Sequence, residues 1–119
     1  RACYGNIVFA CRDNLEQMKQ VYPGVGTPVF ASGGLSKSSI LIQMLADVLA
    51  MPVSVPLERR ASAIGASVAC WSFLKSESPG SIVKRIVELS TVNPSPGSED
   101  YQADYRRWRL IYERLRNLT

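Results

Sequence analysis

The chain has 119 residues, of which 46% are hydrophobic and 20% are charged, and these values are ordinary for one globular domain or a part of one. It contains no histidine, which excludes a Ser-His-Asp or Cys-His nucleophile and any zinc site with histidine ligands. The net charge of +4 is mild, whereas nucleic-acid binding requires positive charge concentrated on one face. The uncharged stretch of residues 61–74 is too short to span a membrane.

The first third of the chain predicts a helix followed by a buried strand. Residues 1–20 carry one apolar stripe at helical spacing, formed by Ile7, Cys11, Leu15 and Met18, and the glycines and proline of residues 23–26 end this helix. Residues 27–32 are short and apolar and lie before two glycines, which is typical of a buried strand.

A second helix and a second strand follow the Gly33-Gly34 turn. Ser36 is the expected N-cap of a helix over residues 37–50, and this helix is apolar on most sides, which predicts burial between layers. Residues 52–56 are rich in β-branched side chains and predict the second strand. The order strand, helix, strand predicts a parallel pair with a right-handed crossover.

The second half of the chain predicts three further helices. Residues 61–75 form a helix rich in small side chains, in which Gly65 indicates close approach of another group or simple tight helix packing. Residues 82–89 suggest a short amphipathic helix, and residues 93–98 a linker. Ser98 is the expected N-cap of the last helix, whose apolar face predicts core packing and carries Tyr101, Tyr105, Trp108, Tyr112 and Leu115.

The three cysteines and the acidic residues offer no clear catalytic group. Cys3, Cys11 and Cys70 lack the CxxC spacing, and their odd number predicts free, buried thiols in a reducing compartment. Asp47 is the one carboxylate within a strongly apolar helix. A polar contact to neighbouring backbone or to an arginine is the favoured interpretation, rather than a catalytic role.

The segment from Phe30 to Ser39 is the candidate ligand-binding turn. A buried strand leads into two glycines and then into a helix N-terminus, and glycines allow a ligand to approach the backbone closely. The segment matches neither the P-loop, GxGxxG nor GxSxG patterns. A plain strand-to-helix connection is the more common explanation of such a segment.

Four motifs, in order, resemble the C-terminal domain of the FGGY family of carbohydrate kinases. They are Ser32-Gly-Gly-Leu-Ser-Lys-Ser, Gln43-Met-Leu-Ala-Asp-Val-Leu, Met51-Pro-Val-Ser-Val-Pro and Ala63-Ile-Gly-Ala-Ser. The resemblance extends over nearly the whole chain. It departs from the family pattern at Gly5 and Arg60, where the family usually has glutamate.

The resemblance implies an α-rich α/β fold that is part of an actin/hexokinase-like (ribonuclease H-like) ATPase domain. Two short parallel strands and four to five helices are expected, and residues 1–119 would form a single incomplete domain. The absence of an initiating Met, with a helical pattern already at residue 2, is consistent with an excerpt of a longer polypeptide or with a trimmed or processed chain. Gln43 and Asp47 match family positions that we interpret as structural.

For function, the resemblance implies the adenosine-binding part of a cytoplasmic, ATP-dependent sugar or polyol kinase. Gly33 and Gly34 match the turn against the base and ribose, and Ser38 matches a polar position that faces adenine. The catalytic base, the Mg²⁺ site and the sugar site would lie outside this chain, which would be inactive alone. The expected partners are ATP or ADP, with no nucleic acid and no membrane, and an exposed sheet edge makes a homo-oligomer possible.

Two alternatives of a different class remain open at this point. The departures at Gly5 and Arg60 suit a stand-alone nucleotide-binding or protein-interaction module that has lost the chemistry. The arginines of the last helix suit a small basic nucleic-acid binder, for which steeply salt-dependent binding is the expected property.

Overall fold

A computed structural model describes residues 2–25, 28–58, 60–97 and 100–116, and the side chains of residues 2 and 3 are not described. The helices are α1 (Ala2–Val21), α2 (Ser39–Leu49), α3 (Ala61–Lys75), α4 (Pro79–Ile86) and α5 (Tyr101–Arg116), and a short 3-10 helix spans Gly34–Lys37. The strands are β1 (Val29–Phe30), β2 (Val53–Pro56) and β3 (Leu89–Val92). The helix-rich α/β prediction is therefore confirmed, and the described part of the chain has three strands rather than two.

The sheet has the order β1-β2-β3 and is mixed. β1 pairs with β2 in parallel, with Val29 opposite Val53, as the strand-helix-strand order predicts. β3 pairs with β2 in antiparallel orientation over Val53–Pro56. The prediction that Leu89 continues a helix is wrong, because a four-residue segment next to an exposed strand gains a full ladder of hydrogen bonds by pairing with it.

Helix α2 is the central element of the fold, because it packs on both sides. On one side Ile42 and Ala46 cover Val53 and Val55 of β2. On the other side Leu41 and Val48 belong to a cluster with α1 and α5. The predicted burial of α2 between layers is confirmed, and Ile40 is the exception, with 65% of its surface exposed.

Helix α1 uses a different face for the core than its apolar stripe indicates. Val8 and Phe9 are buried in the core, whereas Ile7, Cys11 and Met18 of the stripe are exposed. The reason is that α5 lies across the neighbouring face of α1 and covers Asp13, which is only 6% exposed. The stripe instead lines a groove of about 510 Å³ that also contains Phe30 and Leu35.

The aromatic face of α5 is buried only in its first half. Tyr105 is 4% exposed and packs with Phe9, and Tyr101 and Trp108 are half-buried against the same cluster. Tyr112 and Leu115 are 43% and 60% exposed, so the prediction of core packing is wrong for the C-terminal half. α5 extends beyond the elements against which it packs. The expected cap Ser98 lies outside the described residues.

Two of the cysteines also differ from expectation. Cys11 and Cys70 are free, as predicted, but both are exposed rather than buried. Cys3 lies outside the described side chains. Among the helices that the structure describes, none is long and apolar enough to cross a lipid bilayer.

Candidate functional site

The Gly33-Gly34 turn lies at the carboxyl end of β1 and leads directly into the 3-10 helix. Gly33 has φ 94° and ψ −171°, a conformation that side-chain-bearing residues rarely adopt. Gly33 is half-buried and Gly34 is exposed. The backbone thus turns sharply at the surface, and at Gly33 the turn itself requires glycine.

Gly34 has neither of the usual structural reasons to be glycine. Its φ lies outside the left-handed region, and a Cβ placed on it would meet no atom within 4 Å. The space above Gly33 is equally open. Two adjacent glycines with free space above them can accept the flat face of a ligand against the main chain.

Ser36 is placed differently from the prediction. It lies within the 3-10 helix, is 5% exposed, and its Oγ donates a hydrogen bond of 2.7 Å to the carbonyl oxygen of Gly33. It therefore does not cap α2. Sequence reasoning missed this role because Ser36 and Ser38 are equally good N-cap residues, and only the backbone angles distinguish them.

Ser38 is the N-cap of α2. Its backbone is extended, with φ −85°, and its Oγ accepts a hydrogen bond of 3.3 Å from the backbone N–H of Leu41. Its side chain is half-buried beside the turn. A serine hydroxyl that accepts one bond still has a proton to donate, so Ser38 can cap the helix and contact a ligand at the same time.

An apolar groove adjoins the turn. Ser32, Leu35 and Ser36 line the groove of about 510 Å³, together with residues of α1, β1 and α2. A second groove of about 530 Å³ lies between α3, α4 and the sheet, and shares Phe30 and Ser32 with the first. The glycine turn is therefore flanked by apolar surface, which suits an aromatic ring carrying a polar sugar.

Gly65 lines the second groove and is not explained by helix packing. A Cβ at Gly65 would meet no atom within 4 Å, although it lies in the middle of α3. Neither close approach nor tight packing accounts for this glycine in the described part of the chain.

The two buried carboxylates of the described residues hold elements together. Asp47 Oδ1 accepts hydrogen bonds from the backbone N–H of Ser95, over 2.7 Å, and from Gln43 Nε2, over 3.0 Å. Gln43 also donates to the carbonyl of Asn93. The preferred prediction for Asp47 is a polar contact with neighbouring backbone or an arginine; the contact with backbone is confirmed, and the partner belongs to a loop 48 residues away.

Asp13 belongs to the junction of α1 and α5. Its carboxylate accepts a hydrogen bond of 2.6 Å from Gln17 and lies 3.5 Å from the guanidinium of Arg109. Tyr105 donates to Glu16 in the same junction. Burial and the hydrogen bond to Glu16 raise the pKa of Tyr105 far above its usual value, which keeps the phenol protonated.

Arg60 precedes α3 at one of the two departures from the family pattern. It forms an exposed ion pair with Glu58, with an N–O distance of 3.0 Å. No group of three or more metal-ligating acidic or cysteine side chains occurs among the described residues. The candidate site among the described residues is therefore the glycine turn with its flanking grooves, and these residues form no metal centre.

Comparison with known proteins gives consistent results. A family model described as the FGGY family of carbohydrate kinases, C-terminal domain, matches residues 1–72. A probable L-xylulose kinase from Haemophilus influenzae is 28% identical over 99% of the chain, and an autoinducer-2 kinase from Escherichia coli K12 is 32% identical over 90% of it. The chain spans 24% and 20% of the lengths of these relatives, so it is similar to between a fifth and a quarter of each.

The fold comparison agrees with the sequence comparison. The crystal structure of a xylulose kinase from Rhodospirillum rubrum superimposes with a TM-score of 0.79 at 26% identity, over 99% of this chain and 24% of that one. The structural neighbours are sugar kinases of the actin/hexokinase-like fold.

Proposed function

Because the chain belongs to the FGGY family of carbohydrate kinases and matches its C-terminal domain, we propose that it forms the adenosine-binding part of an ATP-dependent sugar or polyol kinase. Gly33 and Gly34 would lie against the base and ribose, and Ser38 would face the base. The whole kinase would transfer the γ-phosphoryl group of ATP to a carbohydrate hydroxyl. The chain would bind nucleotide but would not catalyse this reaction by itself.

The observation that carries the proposal is the unexplained Gly34. Its backbone conformation does not require glycine, and the space that a side chain would occupy is free. A ligand that occupies this space would give a physical reason for a glycine at this exposed position. A flat purine with its ribose fits such a surface, because the adjoining groove offers apolar contacts from Leu35 and Phe30.

Catalysis requires groups that the described residues do not assemble. Phosphoryl transfer depends on Mg²⁺ and on a base that accepts the proton of the attacking hydroxyl. Asp13 and Asp47, the two buried carboxylates, are both held in contacts between elements. When bound, Mg²⁺ would neutralise charge on the phosphates. This chain's own contribution would be to hold and orient the nucleoside.

Nucleotide titration of the 119-residue chain, followed by backbone amide NMR, tests the proposal. We expect ATP and adenosine to shift the amide signals of Gly33, Gly34 and Ser38. Gly34→Ala should weaken binding of both ligands at least tenfold. It should leave the free energy of unfolding within about 0.5 kcal/mol of the original, since exposed sites with open space tolerate a methyl group. Failure of ATP to shift these signals, or unchanged affinity in the Gly34→Ala variant, would overturn the proposal.

Gly80→Ala is the matched control. It adds the same methyl group to an exposed glycine of α4 outside both grooves, where the nearest atom to a Cβ, the Oγ of Ser78, lies 3.8 Å away. It should leave nucleotide affinity unchanged and should not destabilise the chain, because alanine is a better helix former than glycine. A methyl group would then weaken binding only where the nucleoside is expected to lie.

A further inference from the structure

Ser36 is neither a helix cap nor an exposed surface serine, because its side chain is buried and its hydroxyl donates to the Gly33 carbonyl. It is one of three buried polar residues in the described part of the chain, and its hydroxyl is turned back onto the turn that precedes it. Burying an unpaired hydroxyl is unfavourable, so its single partner, the Gly33 carbonyl, determines where this side chain can lie.

The Gly33 carbonyl is held by Ser36 in two ways. The Oγ donates a hydrogen bond of 2.7 Å, and the backbone N–H of the same residue donates one of 3.2 Å. A carbonyl oxygen has two lone pairs, and one residue occupies both of them here. The peptide unit between Gly33 and Gly34 is therefore fixed in orientation at the point where Gly33 adopts φ 94°.

The backbone of Gly33 needs such a restraint. Glycine has more accessible conformations than any other residue, and two glycines in succession form the least constrained segment of a chain. Nothing packs on the open side of Gly33 or Gly34, since no atom lies within 4 Å of a Cβ at either position. The restraint must therefore come from the inner side, where Ser36 lies.

We propose that Ser36 is a positioning residue for the nucleoside-binding turn: its buried hydroxyl holds the Gly33-Gly34 peptide in the orientation that receives the ligand. This inference rests on the proposed function of the turn. It assigns to Ser36 no contact with the ligand itself. Its effect is to reduce the conformational entropy that the turn would otherwise lose on binding, which is preorganisation of a binding site.

The test compares Ser36→Ala with Ser36→Thr in the 119-residue chain, with adenosine and ATP as probes. Loss of one hydrogen bond that restrains the site should weaken the affinity for both ligands about three- to tenfold. In the absence of ligand, the amide signals of Gly33 and Gly34 should move in the Ser36→Ala variant, because the orientation of their peptide changes. Ser36→Thr keeps the hydroxyl and should retain affinity within about twofold of the original.

Ser72→Ala supplies the matched control. The Ser72 hydroxyl also donates to a carbonyl, that of Glu77, over 2.6 Å, and is also part-buried, but it closes the loop after α3. Its loss should affect stability without changing nucleotide affinity. This comparison separates a local effect on the turn from a general loss of stability.

The possible results distinguish the two proposals. If the original chain binds ATP with shifts at Gly33 and Gly34 but Ser36→Ala binds equally well, the positioning role is wrong and the proposed function stands. If Ser36→Ala and Ser36→Thr are weakened equally, the hydroxyl is not responsible and the positioning role is again wrong. If the original chain shows no shifts at the turn with either probe, both proposals fail.

Discussion

Tyr105 on α5 donates a hydrogen bond of 2.9 Å to Glu16 on α1, although 89 residues separate them in the sequence. The guanidinium of Arg12 lies over the Tyr105 ring, 4.2 Å from its centre, and also donates to Glu16 and to the carbonyl of Val48 on α2. Three helices therefore meet at one polar junction beside the apolar core. The junction holds the last helix against the part of the fold that carries the glycine turn.

Tyr105→Phe should destabilise the chain by about 1 kcal/mol. The ring and its packing against Phe9 remain, but the hydrogen bond to the charged Glu16 is lost, and Glu16 is partly exposed and can bind water instead. Urea unfolding followed by circular dichroism measures the change. Tyr112→Phe, at a ring that is 43% exposed, should change stability by less than about 0.5 kcal/mol. Equal effects of the two substitutions would contradict the role given to the Tyr105 hydroxyl.

The free energy of unfolding should fall when acidification protonates Glu16. Burial by itself would raise this pKa, but hydrogen bonds from Arg12 and Tyr105 and the charge of Arg109 outweigh it and lower the pKa below the usual 4.5. A lowered folded-state pKa contributes stability that is complete above the unfolded value and is lost as the pH falls through the folded value.

Thermal unfolding between pH 7 and pH 2.5 measures this effect. The midpoint should be steady at neutral pH and fall below about pH 4.5. Glu16→Gln should reduce the slope in the acid range. Glu88→Gln removes an exposed carboxylate outside the junction. It should change the slope of the midpoint against pH less than Glu16→Gln does. A slope that Glu16→Gln does not alter would show that other carboxylates govern acid unfolding.

Asp47→Ala should release the loop that follows β3. It removes the acceptor for the Ser95 backbone N–H and for Gln43, and we expect a loss of about 2 kcal/mol, because a part-buried N–H is left without its charged partner. Hydrogen exchange at the Ser95 amide should become faster than at β2 amides. Asp47→Asn keeps the Oδ1 acceptor and should recover more than half of the lost stability. Unchanged exchange at Ser95 in Asp47→Ala would refute this anchoring role.

Ser38→Ala should destabilise α2 by about 1 kcal/mol through loss of the N-cap hydrogen bond to Leu41. Ser38→Asn preserves a capping oxygen and should stay within about 0.5 kcal/mol of the original in urea unfolding. Ser39→Ala, one residue into the helix, controls for removal of a hydroxyl without removal of a cap. If Ser38→Ala is no more destabilising than Ser39→Ala, the cap is not significant in solution.

The sequence predicts the parts of the site that depend on local chemistry. Two successive glycines after a short apolar strand indicate a turn with an accessible backbone, and the turn lies where the pattern places it. The identity of the cap was not predictable, because Ser36 and Ser38 differ only in backbone angles that the turn imposes. β3 was missed for a related reason, since a four-residue segment acquires its conformation from the strand beside it.

What the sequence by itself determined is the order of the main helices, the parallel pairing of β1 with β2 and the position of the glycine turn. These follow from periodicity and from glycine's conformational freedom, both of which act within a few residues. Only the tertiary structure decided that α1 buries Val8 and Phe9 rather than its apolar stripe, that the aromatic face of α5 is half exposed, and that the Ser36 hydroxyl holds Gly33. A pattern shows which face of a helix is apolar, but the neighbouring elements determine which face is covered.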